Sequence, residues 1–522
     1  MQGKRMLDKG RVALLICAAA LALAVVAAGC GGEEEAAPPP AEPAPPPPPP
    51  PPGPPPPPEP AMTAWSLEEA AAPYAGTTVT ILYEGNGDTS SSPGIAEAIK
   101  TFEQRTGIIA DVQVLGHFEV IQKGEASMLS RTGEFDIVML HNWQAPSLLQ
   151  AGVIDDLKPY LDNPDLRDPS WDFDQTLQPE TNKVSVLESG EVIALAPLYN
   201  YISIFWLRKD WIEHPDERAA FEAEYGYPLA EPTDWGQIVD IADFFTREAG
   251  ETLAGETLND PVYGLVLEGS PGASFLDIFG LAETFCGGFY DENGNPTANR
   301  PENVAALEFW ASLWQYGPPN TAEITLFDEI TIPTLEPSIA AMGDSSTDWL
   351  MPLDTPEANP NLAGKFTYFS WPPHPDTPEC HAQAGGGPAY NVINAASDAK
   401  EASFLLLQWM STEEFNNLWT ANSPTVTLPV HIDAIDQGRE DFSVYDQWVD
   451  GYDANVTGRE TIAIIPRGTG ILEITDLVQR EAQAVGLGQK TAQEALDDVQ
   501  AFMEDLCTTD CTITAIGDQP GG

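Results

Sequence analysis

The stretch from Thr77 to Gly116 decides the fold, and it reads TTVTILYEGNGDTSSSPGIAEAIKTFEQRTGIIADVQVLG. Its apolar, β-branched start runs into the loop EGNGD, which predicts a buried strand followed by a polar turn. The segment SPGIAEAIKTFEQRT is amphipathic and predicts a helix that stops at Gly107, and IIADVQVLG predicts a second strand. This alternation of strand and helix predicts an α/β unit built on a parallel sheet.

The alternation continues downstream with a helix around Val120 to Arg131, the strand FDIVML and the helix SLLQAGV. In parallel sheets of this kind, ligands bind at the carboxyl ends of the strands. Those ends carry side chains that suit ligand contact, namely Glu84, Asn86, Asp88, His141, Asn142 and Trp143. Asn86 and Asp88 are equally typical of ordinary turns, so both interpretations stay open for these two residues.

The composition limits the number of domains and the kind of partner. A chain of 522 residues exceeds the size at which one core keeps growing, so we expect two domains. There are 23 Lys and Arg residues against 80 Asp and Glu residues, which gives a net charge of −57. Phosphate binding needs clustered cations, so we expect no nucleic-acid partner. Such an excess of carboxylates stays soluble where salt screens their repulsion, and we hypothesise a salt-rich habitat.

The N-terminus is predicted to export the chain and to anchor it. Basic residues precede an apolar run over residues 12–28, which is typical of a bacterial export signal over residues 1–29. The sequence Ala-Ala-Gly-Cys that ends at Cys30 resembles the lipobox of bacterial lipoproteins and predicts lipidation of Cys30. The alternative is an uncleaved membrane helix, for which the apolar run is marginal against the roughly 20 residues that a span needs.

Residues 30–72 are predicted to form a tether. From Pro38 to Pro60, 18 of the 23 residues are proline. Proline fixes φ and lacks an amide donor, so this segment favours a stiff polyproline II spacer. At about 3.1 Å per residue the spacer would reach roughly 70 Å and hold a globular body clear of a membrane.

The cysteines predict disulfides. After the signal and the lipidation site, four remain, namely Cys286, Cys380, Cys507 and Cys511. Four cysteines outside the cytoplasm suggest two disulfides, and three pairings are possible. Closeness in sequence favours Cys507–Cys511, which leaves Cys286–Cys380.

The chain contains a series of sequence blocks whose order is typical of one protein family. The blocks are FEQRTGIIADVQV, FDIVMLHNWQAPSLLQAGVIDDLKPYL, ALAPLYNYISIFWLRKDW, EPTDWGQIVDIADFF, YGLVLEG, CGGFYDENGNPTANRPENVAALEFWASLW, SIAAMGDSSTDWL, QAGGGPAYNVINAASDAKEASFLLLQWMSTEEF and QKTAQEALDDVQAFMEDL. From about Thr77 to Leu506, the chain resembles the extracellular solute-binding proteins of ABC importers. That group includes maltose-, oligosaccharide- and polyol-binding proteins.

The resemblance implies a periplasmic-binding-protein-like α/β fold, in which hinge strands join two lobes around a ligand cleft. The N-terminal lobe would comprise residues 77–196 and 384–430, the C-terminal lobe residues 197–383 and 431–506, and residues 507–522 would form a tail. It also implies a monomeric receptor without a cofactor or enzymatic activity. The receptor would sit lipid-anchored on the outer face of the cell membrane or in the periplasm, bind a sugar, oligosaccharide or polyol, and deliver it to the permease subunits of an ABC importer.

The resemblance also extends the set of predicted ligand contacts. Glu84, Asn86, Asp88, Asn142 and Trp143 are joined by residues of the later blocks, namely Tyr199, Asn200, Tyr201, Asp344, Ser345, Trp349, Gly385, Gly386, Gly387 and Arg467. The tyrosines stand where the family crosses between lobes, and the glycines permit close backbone approach. The block GDSSTDW departs from the family's usual Gly-Pro-Trp loop, which leaves the partners of Trp349 open. For Arg467, a surface turn is the alternative.

Other functions stay open on the sequence alone. A secreted glycoside hydrolase needs two carboxyl groups about 5 to 9.5 Å apart, and so acidic a chain can supply such a pair. A binding lipoprotein that senses a non-sugar solute would share the fold. A metal site of His374, Cys380 and His381 is a further alternative, but its spacing matches no zinc pattern, so no metal is predicted.

Overall fold

The protein is described by a computed structural model, which covers residues 65–84, 92–141, 144–171, 185–186, 190–201, 203–272, 274–291, 294–335, 338–346, 353, 356, 359–380, 387–422, 431 and 470–510. The chain divides into one unit of residues 1–62 and a second of residues 63–522. The predicted export signal, Cys30 and the proline-rich segment lie outside the described residues. In the described ranges, no helix is long and apolar enough to cross a membrane.

The second unit is a mixed α/β structure. Its strands are β1 (Thr78–Glu84), β2 (Ile109–Leu115), β3 (Ile137–His141), β4 (Leu195–Tyr201), β5 (Ser203–Arg208), β6 (Thr252–Leu253), β7 (Glu256–Thr257), β8 (Met342–Ser346), β9 (Phe366–Ser370) and β10 (Gly387–Ile393). Its α-helices are α1 (Leu67–Ala71), α2 (Ser92–Thr106), α3 (His117–Ser130), α4 (Ala145–Gln150), α5 (Lys158–Leu161), α6 (Lys209–Ile212), α7 (Pro215–Tyr225), α8 (Trp235–Phe245), α9 (Phe275–Thr284), α10 (Pro301–Leu313), α11 (Leu326–Thr331), α12 (Lys400–Met410), α13 (Glu413–Asn422), α14 (Ile471–Gly486) and α15 (Ala492–Asp510).

The predicted strands and helices of the first α/β unit are present, with shifted ends. Helix α2 stops before Gly107, whose φ of 71° ends it as predicted. Helix α4 is shorter than the segment SLLQAGV suggests, because Gly152 has a φ of 63° and turns the chain away. A left-handed residue of this kind cannot continue a right-handed helix.

The first sheet has the strand order β2-β1-β3-β10-β4. Strand β1 is parallel to β2 and β3, as the sequence predicts, whereas β10 is antiparallel to both β3 and β4. Helices α2 and α3 connect β1, β2 and β3, and such crossover connections allow these strands to run parallel. Strand β10 instead follows β9 of the other sheet, so no crossover fixes its direction.

A buried carboxylate fastens the first sheet at the amino end of its parallel strands. Asp136 accepts hydrogen bonds from the backbone N–H of Thr80 at 2.8 Å and from the hydroxyl of Ser397 at 2.6 Å. Alternate residues of β1 then enter cores on opposite faces, with Val79 and Ile81 on one side and Leu82 on the other. Burial on both faces is typical of parallel strands in α/β proteins.

The second sheet is antiparallel, with the strand order β8-β5-β9, and it packs on a large aromatic core. The Phe205 ring of β5 stacks on Phe369 with centroids 5.3 Å apart and meets the edge of Trp235 at 5.6 Å. Helices α9, α10, α14 and α15 contribute to the same core. The C-terminal helix continues to Asp510, so Cys507 lies in a helix and not in a separate tail.

Strands β4 and β5 belong to different sheets but are close together in sequence. Strand β4 pairs in the first sheet as far as Tyr201, opposite Gly387, and β5 begins at Ser203 in the second sheet. Ile202 is the single residue between them. The lobe boundaries implied by the resemblance remain a proposal, and in the structure β4 stays with the first sheet beyond residue 196.

A disulfide joins Cys286 and Cys380, with their Cα atoms 5.3 Å apart. Its presence removes the Cys380 thiolate that a metal site with His374 and His381 would need. The His374 ring instead packs on Phe285, with centroids 4.1 Å apart. The Cys507 side chain and Cys511 lie outside the described residues.

We expect the double substitution Cys286→Ser and Cys380→Ser to lower the free energy of unfolding by about 2–5 kcal/mol, measured by urea denaturation. The bond closes a loop with a sequence separation of 94 residues, and a long loop loses much entropy when it is closed in the unfolded chain. Cys507→Ser with Cys511→Ser is the control, since that pair is only four residues apart. An equal or larger loss in the control would contradict this account.

Candidate functional site

An acid and an imidazole meet at the carboxyl edge of the first sheet. Strands β1 and β3 are parallel neighbours, so their last residues, Glu84 and His141, end at the same edge. Oε2 of Glu84 lies 3.3 Å from Nε2 of His141, and the side chains are 14% and 3% exposed. The backbone N–H of His141 donates a hydrogen bond to Oε1 of Gln144 at 3.1 Å, just before α4 begins. This edge therefore presents a polar pair that is largely shielded from water.

The antiparallel strands add to the same edge. The start of β10 lies beside the end of β3, because Ala389 pairs with His141. Gly387 then pairs with Tyr201, and Ala389 with Tyr199, at the end of β4. We call this group the first edge, and its residues are Glu84, His141, Tyr199, Asn200, Tyr201 and Gly387.

A second group of residues lies at the end of the second sheet where β5 begins. The first residues of β5 pair with the last residues of its neighbours, Ser203 with Ser346 of β8 and Ile204 with Ser370 of β9. We call Ser203, Ser346 and Ser370 the second edge. Since Ile202 alone separates Tyr201 from Ser203, the two edges lie within about 7 Å along this strand.

A buried acid lies just behind the second edge. Asp344 of β8 is 6% exposed, and its Oδ1 accepts a hydrogen bond of 3.0 Å from the indole Nε1 of Trp371. Asp277 of α9 is also buried, at 5% exposure. Burial raises the pKa of Asp277 to about 7, and hydrogen bonds with Trp310 and Asp344 partly oppose this rise.

The structure brings part of the predicted ligand set together. Glu84, Tyr199, Asn200, Tyr201 and Gly387 share the first edge, and Ser345 lies on β8 opposite Ile204 of the second sheet. Asp344 accepts a hydrogen bond from Trp371 inside the protein. Its contact with a ligand remains a prediction. The other predicted contacts lie outside the described residues, namely Asn86, Asp88, Asn142, Trp143, Trp349, Gly385, Gly386 and Arg467.

Two residues behind the second edge, Asp277 and Trp371, were not among the residues predicted from the sequence. Asp277 is the one charged residue inside the apolar stretch FLDIFGLA, and an acid in such a helix signals an internal partner. Trp371 follows the strand FTYFS directly, where the alternation of aromatic residues places it on the core side. Its hydrogen bond to a residue 27 positions away could not be read from the sequence.

Two cavities in the described part of the chain lie away from these edges. One of about 430 Å³ is lined by Arg208, Trp211 and Asp260, at the opposite end of β5 from Ser203. Another of about 340 Å³ is lined by Trp65, Arg105 and other residues around α1. Neither is lined by a residue of the predicted ligand set.

A mixed sheet and an antiparallel sheet, whose strands β4 and β5 are one residue apart in sequence, are the arrangement of a two-lobed binding protein of the periplasmic type. The chain belongs to the family of bacterial extracellular solute-binding proteins, whose model matches residues 86–416. The resemblance drawn from the sequence is therefore confirmed for the family and the fold.

Solved structures share this fold over most of the chain. One is an ABC transporter solute-binding protein from Agrobacterium radiobacter K84 in complex with ribitol, with 20% identity and a TM-score of 0.65 over 83% of this chain and 99% of that chain. A second, from Agrobacterium vitis S4 with bound D-mannitol, has 18% identity and a TM-score of 0.64 over 83% and 98%. The maltose-bound MalE3 of T. maritima has 19% identity and a TM-score of 0.63 over 82% and 100%.

We expect Trp371→Phe to lower the free energy of unfolding by about 1.5–3 kcal/mol, because it removes an N–H donor from a buried carboxylate. Trp409→Phe is the matched control. Trp409 is as buried as Trp371, but its Nε1 donates to Glu414, whose side chain is 44% exposed, so water can replace the lost donor. Urea denaturation of both variants measures the difference, and equal losses would show that the hydrogen bond to Asp344 contributes nothing beyond ring packing.

Proposed function

We propose that this protein is the lipid-anchored receptor of an ABC importer, and that it captures a sugar, oligosaccharide or polyol for delivery to the membrane permease. The observation that carries the proposal is the likeness of its fold, over more than four-fifths of the chain, to solute-binding proteins that hold ribitol, D-mannitol and maltose. Export, attachment through Cys30 and a monomeric state belong to the same proposal.

The chemistry of the first edge supports a polyhydroxylated ligand. A sugar presents hydroxyl groups around its rim and apolar C–H faces, so its site needs planar polar groups and an aromatic platform. The carboxylate of Glu84 and the imidazole of His141 supply the first. We assign the platform to the aromatic residues of the predicted ligand set, namely Trp143, Tyr199, Tyr201 and Trp349.

Two lobes joined by a strand can close on a ligand by bending at the joint. We place the hinge between β4 and β5 and at the return from β9 to β10. In this proposal the closed form is recognised by the permease. The ATPase subunits of the importer supply the energy, since this chain contains no GxxxxGK[ST] sequence.

We favour binding over hydrolysis as the role of the site. The acid at the first edge, Glu84, has an imidazole as its close neighbour. A glycosidase pairs two carboxyl groups across the scissile bond. Buried Asp277 and Asp344 are such a pair in kind, but both are at most 6% exposed and lie within the core of the second sheet.

The test is thermal unfolding of the full-length chain against ribitol, D-mannitol, tagatose, maltose and maltotriose, with amino acids and peptides as comparison classes. A ligand at 100 times its dissociation constant stabilises by about 2.7 kcal/mol, which raises the midpoint visibly. We expect one carbohydrate or polyol to do so, and Glu84→Gln to weaken its binding by roughly tenfold through loss of a charged hydrogen-bond partner. The exposed Glu69→Gln is the control.

Each other outcome of this test has a definite meaning. A rise with an amino acid or peptide alone would retain the receptor and remove the carbohydrate assignment. Release of reducing sugar from a maltooligosaccharide, lost in Glu84→Gln, would favour the glycoside hydrolase.

The proposed anchor is tested separately. We expect Cys30→Ser to move the protein from the membrane fraction to the soluble fraction of cells, because the lipid would have no attachment site. Immunoblots of both fractions measure the shift, with Cys507→Ser as the control that keeps Cys30. Retention of the Cys30→Ser protein in membranes would mean that the apolar run over residues 12–28 is itself the anchor.

A further inference from the structure

A cavity of about 430 Å³ lies at the end of β5 opposite Ser203 and shares no lining residue with either edge. Two groups of residues line most of it. The first group belongs to the end of β5, to α6 and to the segment just before β9, and the second runs from Leu253 to Val262 through the hairpin of β6 and β7. The volume is within the range of about 300–1,000 Å³ that is usual for small-molecule sites.

The guanidinium group of Arg208 is fixed in the first group. Its Nε and Nη2 atoms donate hydrogen bonds of 2.8 and 2.7 Å to the two carboxylate oxygens of Asp210, and its Cζ atom lies 4.1 Å from the centre of the Trp211 ring. The side chain is 5% exposed, and Nη1 is buried without a hydrogen-bond partner among the described residues. Buried donors almost always have a partner, so a carboxylate in the cavity would supply the acceptor that Nη1 lacks.

Lys365 adds a second positive charge beside Arg208. It directly precedes Phe366, which pairs with Arg208 across β5 and β9. Five other lysines of the described chain have a carboxylate within ion-pair distance, namely Lys100, Lys123, Lys158, Lys400 and Lys490. Lys365 and its neighbour Lys209 have no such partner in that part of the chain. In so acidic a protein, an unpaired ammonium group that lines a cavity indicates a place for an anionic group of a ligand.

The second group carries negative charge. Glu256 of β7 and Asp260 in the segment after it are exposed, and neither has an ion-pair partner among the described residues. Their carboxylates do not pair with Lys365, although all three residues line the same cavity. A purely anionic ligand would be repelled by these two acids, and a purely cationic one by Arg208 and Lys365. A ligand that carries both charges satisfies both groups.

The hairpin of the second group is firmly held. Its two-residue turn consists of Ala254 and Gly255, with φ angles of 49° and 82°. A left-handed conformation is unfavourable for alanine and persists only where its surroundings hold it. The N–H of Ala254 donates to Oε1 of the buried Glu217 at 2.8 Å, and Oε2 of Glu217 pairs with Nη2 of Arg247 at 3.2 Å. This support keeps the hairpin in place, so a ligand would not have to order it.

We propose that this cavity is a second binding site, separate from the ligand cleft, for a small zwitterion of the α-amino-acid type. Arg208 and Lys365 hold its carboxylate, and Glu256 and Asp260 hold its ammonium group. Guanidinium and ammonium groups donate to carboxylates, and the ammonium group of an amino acid has three such donors of its own. The site does not rest on the proposed function, since none of the predicted ligand set lines it.

The first arm of the test compares zwitterions with their halves. Calorimetry measures the binding of glycine, L-alanine, L-glutamine and L-leucine to the full-length chain, together with acetate and ethylammonium, which each carry one of the two charges. We expect at least one amino acid to bind, and acetate and ethylammonium to bind at least about tenfold more weakly, because each lacks one set of charge-assisted hydrogen bonds. If no amino acid binds, or if one of the halves binds as tightly, the zwitterion site is overturned.

The second arm removes the charges one group at a time. Lys365→Gln keeps a hydrogen-bond donor without the charge, and Glu256→Gln with Asp260→Asn does the same for the acids of the other group. We expect each variant to bind the amino acid roughly tenfold more weakly, since charge-assisted hydrogen bonds are about twice as strong as neutral ones. Full affinity in Lys365→Gln would overturn the site, and full affinity in the acid variant would overturn the role given to the second group.

Matched controls exist for both variants. Lys209→Gln removes a neighbouring lysine that does not line the cavity, and Glu222→Gln with Glu248→Gln removes two exposed acids outside it. We expect these controls to bind the amino acid as the wild type does. All the substituted side chains are at least partly exposed, and unfolding midpoints without added amino acid check that each variant folds.

His214 reports whether the amino acid enters the cavity. It lines the cavity, and its Nδ1 is buried without a hydrogen-bond partner among the described residues. We expect its ring resonances, assigned by their loss in His214→Gln, to shift as the amino acid saturates the chain. Resonances that stay unchanged at saturation would overturn the cavity site. Binding that is lost in Glu84→Gln and kept in Lys365→Gln would place the amino acid at the first edge instead and also overturn it.

Discussion

The shortness of the connection between β4 and β5 is the constraint on which the rest of the structure depends. Strand β4 pairs with β10 in one sheet and β5 with β8 and β9 in the other, with Ile202 between them. Because covalent geometry allows only about 3.3 Å per residue, the edges of both sheets must meet at this point. The proposed hinge between the lobes is placed at this connection for that reason.

The two edges differ in chemistry because they arise from different kinds of sheet. The first edge collects the carboxyl ends of parallel strands, which gather Glu84 and His141 from distant parts of the chain. The second edge consists of serines at the ends of an antiparallel sheet, with the acids placed one layer behind them. Direct ligand contact is thus proposed for the first edge.

The strong negative charge of the chain makes its few basic residues structurally important. Lys400 of α12 bonds to Asp155 at 2.8 Å, and Arg105 of α2 bonds to both Glu68 of α1 and Glu414 of α13. The bridge at Arg105 fixes α1, the first helix after the proline-rich segment, to the body of the protein. Surface ion pairs contribute little each, typically less than about 1 kcal/mol.

The sequence by itself determined the α/β alternation, the family and the kinds of residue at the strand ends. Local periodicity and turn residues encode the elements, as at Gly107, and parallel strands dictate that Glu84 and His141 end at one edge. Tertiary structure alone decided the antiparallel direction of β10 and the hydrogen bond from Trp371 to Asp344. Strand direction depends on which sheet the chain returns from, and a buried acid finds its partner through packing between elements far apart in sequence, which local patterns do not record.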